Sequence, residues 1–426
     1  MPLLLSGCYD AFVALEPLGA ETSVPGDFVG APGDSYFATT SERGGTGRYV
    51  VFVSAASNLV ADDTNGRIDV FRRDRVARET VLVSVSSSGE LADGSSDKAE
   101  VSADGRFVVF NSFATNLAPA GLDTNADNDV FLRDFFTGTT ELVSVSLAGG
   151  AGNGPSTYPD VTPDGRFVVF QSEADDLVPG DTNAASDVFV RDRVSGATAR
   201  ESIASDGAQG NAASFLPRIS DDGRYVSFVS RATTMVVGKT SSYFDVFVHD
   251  RAQGTTIRVS EAVGGGDPDA DSYSLPVITG DGAWVVFASE ARNLVAGDTN
   301  DAYDVFLWSR ASGAVERASV GDGEEQADAA VYTEGLGVTS DGRYVVWSSA
   351  ATNLVPGDTN AVEDVFVRDR TLATTERITV DDIQGNGASR RPNMSADGRC
   401  IVFESAATNF LPGDTNGAFD VFTVFR

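Results

Sequence analysis

Short apolar runs separated by long polar stretches recur along the chain at a nearly fixed period. The runs read GRYVVF from Gly47, GRFVVF from Gly105 and Gly165, GRYVSF from Gly223, GAWVVF from Gly282, GRYVVW from Gly342 and GRCIVF from Gly398. Successive glycines lie 58, 60, 58, 59, 60 and 56 residues apart. A second run, Asp-Val-Phe, begins at Asp69, Asp129, Asp187, Asp245, Asp304, Asp364 and Asp420, which is 22 residues after its glycine in six copies and 24 in the second. The longer spacing falls in Ala118-Pro119-Ala120-Gly121-Leu122, in place of a shorter Val-Pro-Gly, so it belongs to a loop. Such a period is the mark of a repeat architecture.

One unit, taken from the third copy, predicts four strands. The first lies around Tyr158 to Thr162 and ends at Pro163-Asp164-Gly165, read as a two-residue Asp-Gly hairpin of type I′. The second, Arg166 to Gln171, is apolar at successive positions, which predicts burial on both faces. The third runs from Asp187 to Asp192, and after a turn at Gly196 the fourth runs from Thr198 to Ile203. Four antiparallel strands per unit make one propeller blade, and no blade can cover both faces of its middle strands alone. The chain is therefore expected to be all-β, a seven-bladed β-propeller of four-stranded antiparallel blades spanning residues 10–426 as one domain. The last copy ends after its third strand, while Phe12 to Leu18 reads like the fourth strand of the first unit. The expectation is closure by an N-terminal strand near residues 10–18 in the last blade, with Asp34 to Thr40 as the innermost strand of the first.

The Ser-x-Asp-Gly-basic-x-aliphatic-x-Phe hairpin followed by an Asp-Val-Phe-x-x-Asp strand resembles the TolB-type, WD-like β-propeller repeats of bacterial envelope proteins. The resemblance covers residues 10–426, and it implies the fold while saying almost nothing of function.

Composition narrows the chemistry. With 31 Lys and Arg against 62 Asp and Glu, the net charge of −31 repels nucleic acid and anionic membrane. A single histidine, His249, excludes multi-histidine metal sites, and it replaces an arginine of other copies, so a solvated or paired side chain is expected there. Two cysteines are too few for a disulfide framework or a thiolate metal site. Cys400 takes the slot of an aromatic (Tyr49, Phe107, Phe167, Tyr225, Trp284, Tyr344) and is expected in the core. Leu4-Leu5-Ser6-Gly7-Cys8 resembles a lipobox, so residues 1–9 are read as a lipoprotein signal remnant with Cys8 as the lipidation site. No apolar run is long enough for a transmembrane segment.

Six copies carry a loop near the form Asn-Leu-Val-Pro-Gly-Asp-Thr-Asn-x-x-x-Asp between the second and third strands. Its polar residues are Asp63, Asn65, Asp69; Asp123, Asn125, Asp129; Asp181, Asn183, Asp187; Asp298, Asn300, Asp304; Asp358, Asn360, Asp364; and Asp414, Asn416, Asp420. Positions one, three and seven match oxygen ligands of a calcium loop, although the twelfth-position acid of an EF-type loop is missing. The competing reading is a set of Asx turns. The fourth copy replaces the first Asp by Lys239, an ammonium where a cation would sit. The Arg-Asp-Arg ends of the third strands, such as Arg73-Asp74-Arg75, are expected to form cross-strand ion pairs or turn caps.

Repetition of polar groups suits multivalent binding, so the leading expectation is a non-enzymatic scaffold of the bacterial envelope or extracellular space, binding a protein or glycan partner, with calcium in the acidic loops. The alternative is a propeller hydrolase or lyase using carboxylates at the central channel. The non-repeated acidic stretches Asp267 to Asp271 and Asp322 to Glu325 are its only visible sequence support.

Overall fold

The computed structural model describes residues 35–40, 47–380, 383–410 and 417–426. These hold 27 strands in seven antiparallel sheets, in chain order. The first sheet consists of β1 (Ser35–Thr40), β2 (Tyr49–Ser54), β3 (Asp69–Asp74) and β4 (Glu79–Leu82), and the next five repeat this order. The last holds β25 (Ser389–Met394), β26 (Cys400–Ser405) and β27 (Asp420–Phe425) among the described residues. The fold is a seven-bladed propeller. Its expected N-terminal closing strand, and Cys8, lie outside the described residues.

The cores lie between blades, which explains the continuous apolar runs. Val51 and Val53 of β2 pack with Val108 and Phe110 of the second blade. Val50 and Phe52, on the other face of β2, pack with Cys400 and Val402 of the last blade. Each middle pair adds two stacked rings, as in Phe52 and Phe71 at 5.6 Å or Phe189 and Phe170 at 6.0 Å. The first and last blades meet directly, and Ser35 N donates to Phe419 O at 3.0 Å. Cys400 is fully buried in the aromatic slot, as expected, and burial pushes its thiol up to about 12.

The hairpin joining the first and second strands is not type I′. Gly165 N donates to Thr162 O at 2.8 Å, and only the glycine has positive φ, at 70°. Pro163 locks φ near −65°, so it cannot occupy the first position of a type I′ turn but suits the second residue of a type I turn. The glycine is required twice over. At Gly105 φ is +72°, and a Cβ would stand 2.2 Å from the Tyr49 ring of the preceding blade.

Candidate functional site

The Arg-Asp-Arg motif is structural. Asp74 caps the following turn by accepting from Val76 N and Ala77 N at 3.0 Å, and Arg48, just before the neighbouring strand β2, grips it from 2.6 Å. That guanidinium holds the Asp74 carboxyl down to about 2. The next arginine leaves the blade and stacks on the aromatic of the preceding one, Arg75 on Phe425 at 4.1 Å and Arg251 on Phe167 at 4.9 Å. His249 is paired but not solvated. It is 2% exposed, shares a 2.8 Å hydrogen bond with Thr256, and is pushed down to about 4 by burial, so its ring is neutral near neutral pH.

The acidic loops have one backbone and two kinds of electrostatics. The middle residue makes an Asx turn in every described copy: Asn65, Asn125, Asn183, Asn300 and Asn360 accept at Oδ1 from the N–H two residues on. Their amides donate to backbone carbonyls of the next segment, Asn125 to Gly152 O at 2.7 Å for example. The last Asp is buried beside a serine, which donates from 2.5 Å to Asp69, Asp187 and Asp304.

In blades three, five and six the two carboxylates are bridged by an arginine of the fourth strand. Arg200 Nη1 lies 3.2 Å from Asp181 and 3.3 Å from Asp187, Arg317 lies 3.3 and 3.5 Å from Asp298 and Asp304, and Arg377 lies 3.1 and 3.6 Å from Asp358 and Asp364. Gln209, Gln326 and Gln384 donate to the first Asp of each pair. In blade four Lys239 replaces that Asp and reaches Asp245 at 2.5 Å, buried completely. The sequence reading missed these arginines. The signal was present, since each stands 13 residues after the last Asp of its loop, where the first two units carry Leu82 and Leu142. In those two blades Asp63 and Asp69, and Asp123 and Asp129, face each other without a bridging cation among the described residues. Burial raises the carboxyl pKa of all four. Asp414 and Asn416 lie outside the described residues, and Asp420 is buried in the last blade.

The residues that differ most between blades converge on the axis. The first strand of five blades is bulged against its neighbour, and at the bulge sits a residue with positive φ: Phe37 at 51°, Lys98 at 50°, Tyr158 at 53°, Leu216 at 55° and Arg391 at 49°. Left-handed φ at non-glycine residues costs energy and re-aims side chains, here into the channel. The bulges are held by polar residues of the preceding blade: Glu404 accepts from Phe37 N at 2.6 Å, and Gln171 from Leu216 N at 2.8 Å.

Together these side chains enclose a cavity of about 130 Å³. Lys98 Nζ lies 3.4 Å from the centre of the Phe37 ring and 4.6 Å from that of Tyr158. Desolvation pushes this amine down to about 8, against the opposing pull of Glu334 and Asp97. Desolvation pushes the Tyr158 phenol up to about 12. Arg391 bonds Glu334 at 2.8 Å and Glu404 at 3.1 Å, and Arg218 pairs with Glu100. Sequence reasoning did not find this ring. The inner strand is the least repeated part of each unit, though its variable position stands two residues after a serine (Ser35, Ser96, Ser156, Ser214, Ser389) and was open to alignment.

No family model and no curated protein sequence matches the chain. Among solved structures, an oligogalacturonate lyase from Vibrio parahaemolyticus aligns at TM-score 0.55 and 11% identity, covering 97% of this chain and 96% of its own. A structure of oligogalacturonate lyase in complex with manganese aligns at TM-score 0.56 and 11% identity, covering 98% and 94%. A prolyl endopeptidase aligns at TM-score 0.52 and 13% identity over 89% of this chain and 47% of that one. TolB structures align at TM-scores of 0.41 and 0.39, too distant to carry an argument, so the β-propeller stands and a TolB-type membership does not follow.

These likenesses correct the expectation of a non-enzymatic scaffold: the propellers this chain resembles include a lyase and an endopeptidase. Its premise also fails on geometry, because identical blades do not preclude a unique site when their inner strands differ. One of the similar structures holds manganese. The channel itself does not fit a divalent metal. Its two glutamates are each held by an arginine, it has no histidine, and no group of three or more His, Cys, Asp or Glu side chains that could hold a metal occurs among the described residues. No helix among the described residues is long and apolar enough to cross a membrane.

Proposed function

We propose that the protein is a propeller enzyme whose active site is the central channel, and that it acts as a lyase on a carboxylate-bearing sugar. The observation that carries the reading is Lys98, one of two lysines in the chain, set among aromatic rings with its amine down to about 8. A general base works best with a pKa near the operating pH, and this amine is partly neutral under mildly alkaline conditions. Tyr158, kept protonated, supplies a proton donor beside it.

In the proposed β-elimination the Lys98 amine takes the proton from the carbon bearing the carboxylate. The electron pair forms a carbon–carbon double bond, the bond from the neighbouring carbon to its glycosidic oxygen breaks, and Tyr158 protonates that oxygen. Proton exchange through water restores both groups. Arg391 and Arg218 each carry five N–H donors, so hydrogens beyond those given to their glutamates can bind the substrate carboxylate and stabilise charge developing on it. Hydrolysis by two carboxylates is less well supported, because Glu100 and Glu334 are each engaged in an ion pair with an arginine. The glycan class is taken from the lyases of like fold, and an envelope or extracellular setting fits a charge of −31 and the lipobox-like Cys8.

The test is incubation with oligouronates of several linkages, followed by the ultraviolet absorbance of an unsaturated product. Activity should rise with pH through about 8, where Lys98 is half deprotonated, before it levels off. Lys98→Met should lower kcat by ~10²–10⁴-fold, the usual range for a general base. Saturated reducing ends without absorbance would instead identify a hydrolase, and turnover unaffected by Lys98→Met would sink the assignment.

A further inference from the structure

We propose that the acidic loops of the first and second blades each bind one divalent cation, calcium by its chemistry, in the place that other blades fill with an arginine or lysine of their own. The argument is a substitution within one molecule. Arg200, Arg317 and Arg377 pair across the blade with Phe189, Phe306 and Phe366, and the residues in that register in the first two blades are Leu82 and Leu142. At the isolated bridge that places Gln209 and Gln326, the first two blades carry Leu91 and Ala151. The carboxylates stay while the arginine and the glutamine are gone.

The consequence is visible in the side chains. Asp63 Oδ1 and Asp123 Oδ1 are buried without a hydrogen-bond partner, and Asp69 Oδ2 and Asp129 Oδ2 are buried with only the Asn65 and Asn125 side-chain amides beside them, in residues 5%, 6%, 0% and 0% exposed. Their direction is known from the bridged blades. Asp69 Oδ1 accepts from Ser84 as Asp187 Oδ1 accepts from Ser202, so Asp69 Oδ2 corresponds to the oxygen that meets Asn183, Arg200 and Gln209 in blade three and here lacks the last two. Native proteins seldom leave buried carboxylate oxygens without partners.

The chemistry of the space selects the ion. Two carboxylates balance a divalent charge. A third donor is indicated by blade four, where the Lys239 ammonium bonds the Tyr243 carbonyl at 2.8 Å; the equivalent carbonyls belong to Arg67 and Asp127. An all-oxygen set of low denticity, completed by water on an exposed loop, suits the flexible shell of calcium, and no nitrogen or sulfur donor recommends zinc. The asparagines that share the motif hold the turn through their Oδ1 atoms and are not needed as ligands. In blade two, Asp127 adds a further negative charge near Asp129, so that site should be the tighter.

The experiment is calorimetric titration of the chelator-treated full chain with calcium chloride, comparing variants that exchange the two loop types. Leu82→Arg with Leu91→Gln, and Leu142→Arg with Ala151→Gln, give each loop the bridge of blade three. Each pair should remove about one bound calcium and abolish that loop's share of the calcium-dependent rise in thermal midpoint. Arg200→Leu with Gln209→Leu should add a site. Should an arginine variant fold poorly, Asp63→Asn and Asp123→Asn test the same loops. No heat at millimolar calcium would overturn the proposal and leave each carboxylate pair sharing a proton, as would a stoichiometry unchanged by the leucine replacements. Loss of binding in Asp181→Asn would also overturn it, since that loop already holds its own cation.

Discussion

The two middle strands of each blade and its innermost strand answer to different demands. The middle strands are near copies, because each must fill the same gap between blades: Phe170 and Phe189 stack in the third blade as Phe287 and Phe306 do in the fifth. The inner strands share a bulge but not its residue, so Phe37, Lys98, Tyr158, Leu216 and Arg391 face one cavity with five chemistries. Seven similar blades thus supply a rigid ring, and the position facing the axis is released from packing. Function can concentrate there without cost to the cores.

That contrast can be broken most directly in the middle strands. Phe189→Ala removes a fully buried ring and should cost ~3–5 kcal/mol, a large drop in thermal midpoint. Gly105→Ala comes next: the left-handed φ and the collision with Tyr49 should together cost ~2 kcal/mol. A wild-type midpoint in either variant would show that the blades tolerate slack, and the rigid-ring argument would fail.

A smaller effect should come from the arginine–aspartate clasps. Asp74 and Asp369 are held down to about 2, below the ordinary carboxylate value of 3.8. A depressed carboxyl contributes stability that is complete above its unfolded pKa and is lost as pH falls through the folded one. Arg343 holds Asp369 from 2.7 Å, so melting curves between pH 4 and 2 should decline less steeply for Arg343→Gln than for the wild type, and parallel curves would remove the clasp from the stability account. The smallest effect on stability belongs to the channel. Lys98→Met should melt within ~1 kcal/mol of wild type while losing activity, since its site is a cavity rather than a core. A loss as large as that of Phe189→Ala would erase the distinction between the two kinds of strand.

The acidic loops show how far a motif can be read. Asp181-Thr182-Asn183 and Asp123-Thr124-Asn125 are the same words, and their turn geometry is the same. Whether the carboxylates are neutralised from within depends on Arg200 in one blade and Leu142 in the other, on a strand reached only after the loop is complete. The calcium spacing was legible, but the space was already taken in four of the described loops.

What the sequence determined by itself was the architecture, because strand period, blade number and blade order follow from local alternation repeated seven times. It also determined the place of Cys400, since one slot in a repeated pattern has one environment. The turn type was decided by a proline whose fixed φ outranked the Asp-Gly signal. Only the tertiary structure decided which residues meet at the axis. The ring brings Lys98, Glu334 and Arg391 together across hundreds of residues, and the bulge that turns them inward leaves no periodic trace. Packing repeats because every interface between blades has the same shape, whereas the channel is lined once by the whole ring.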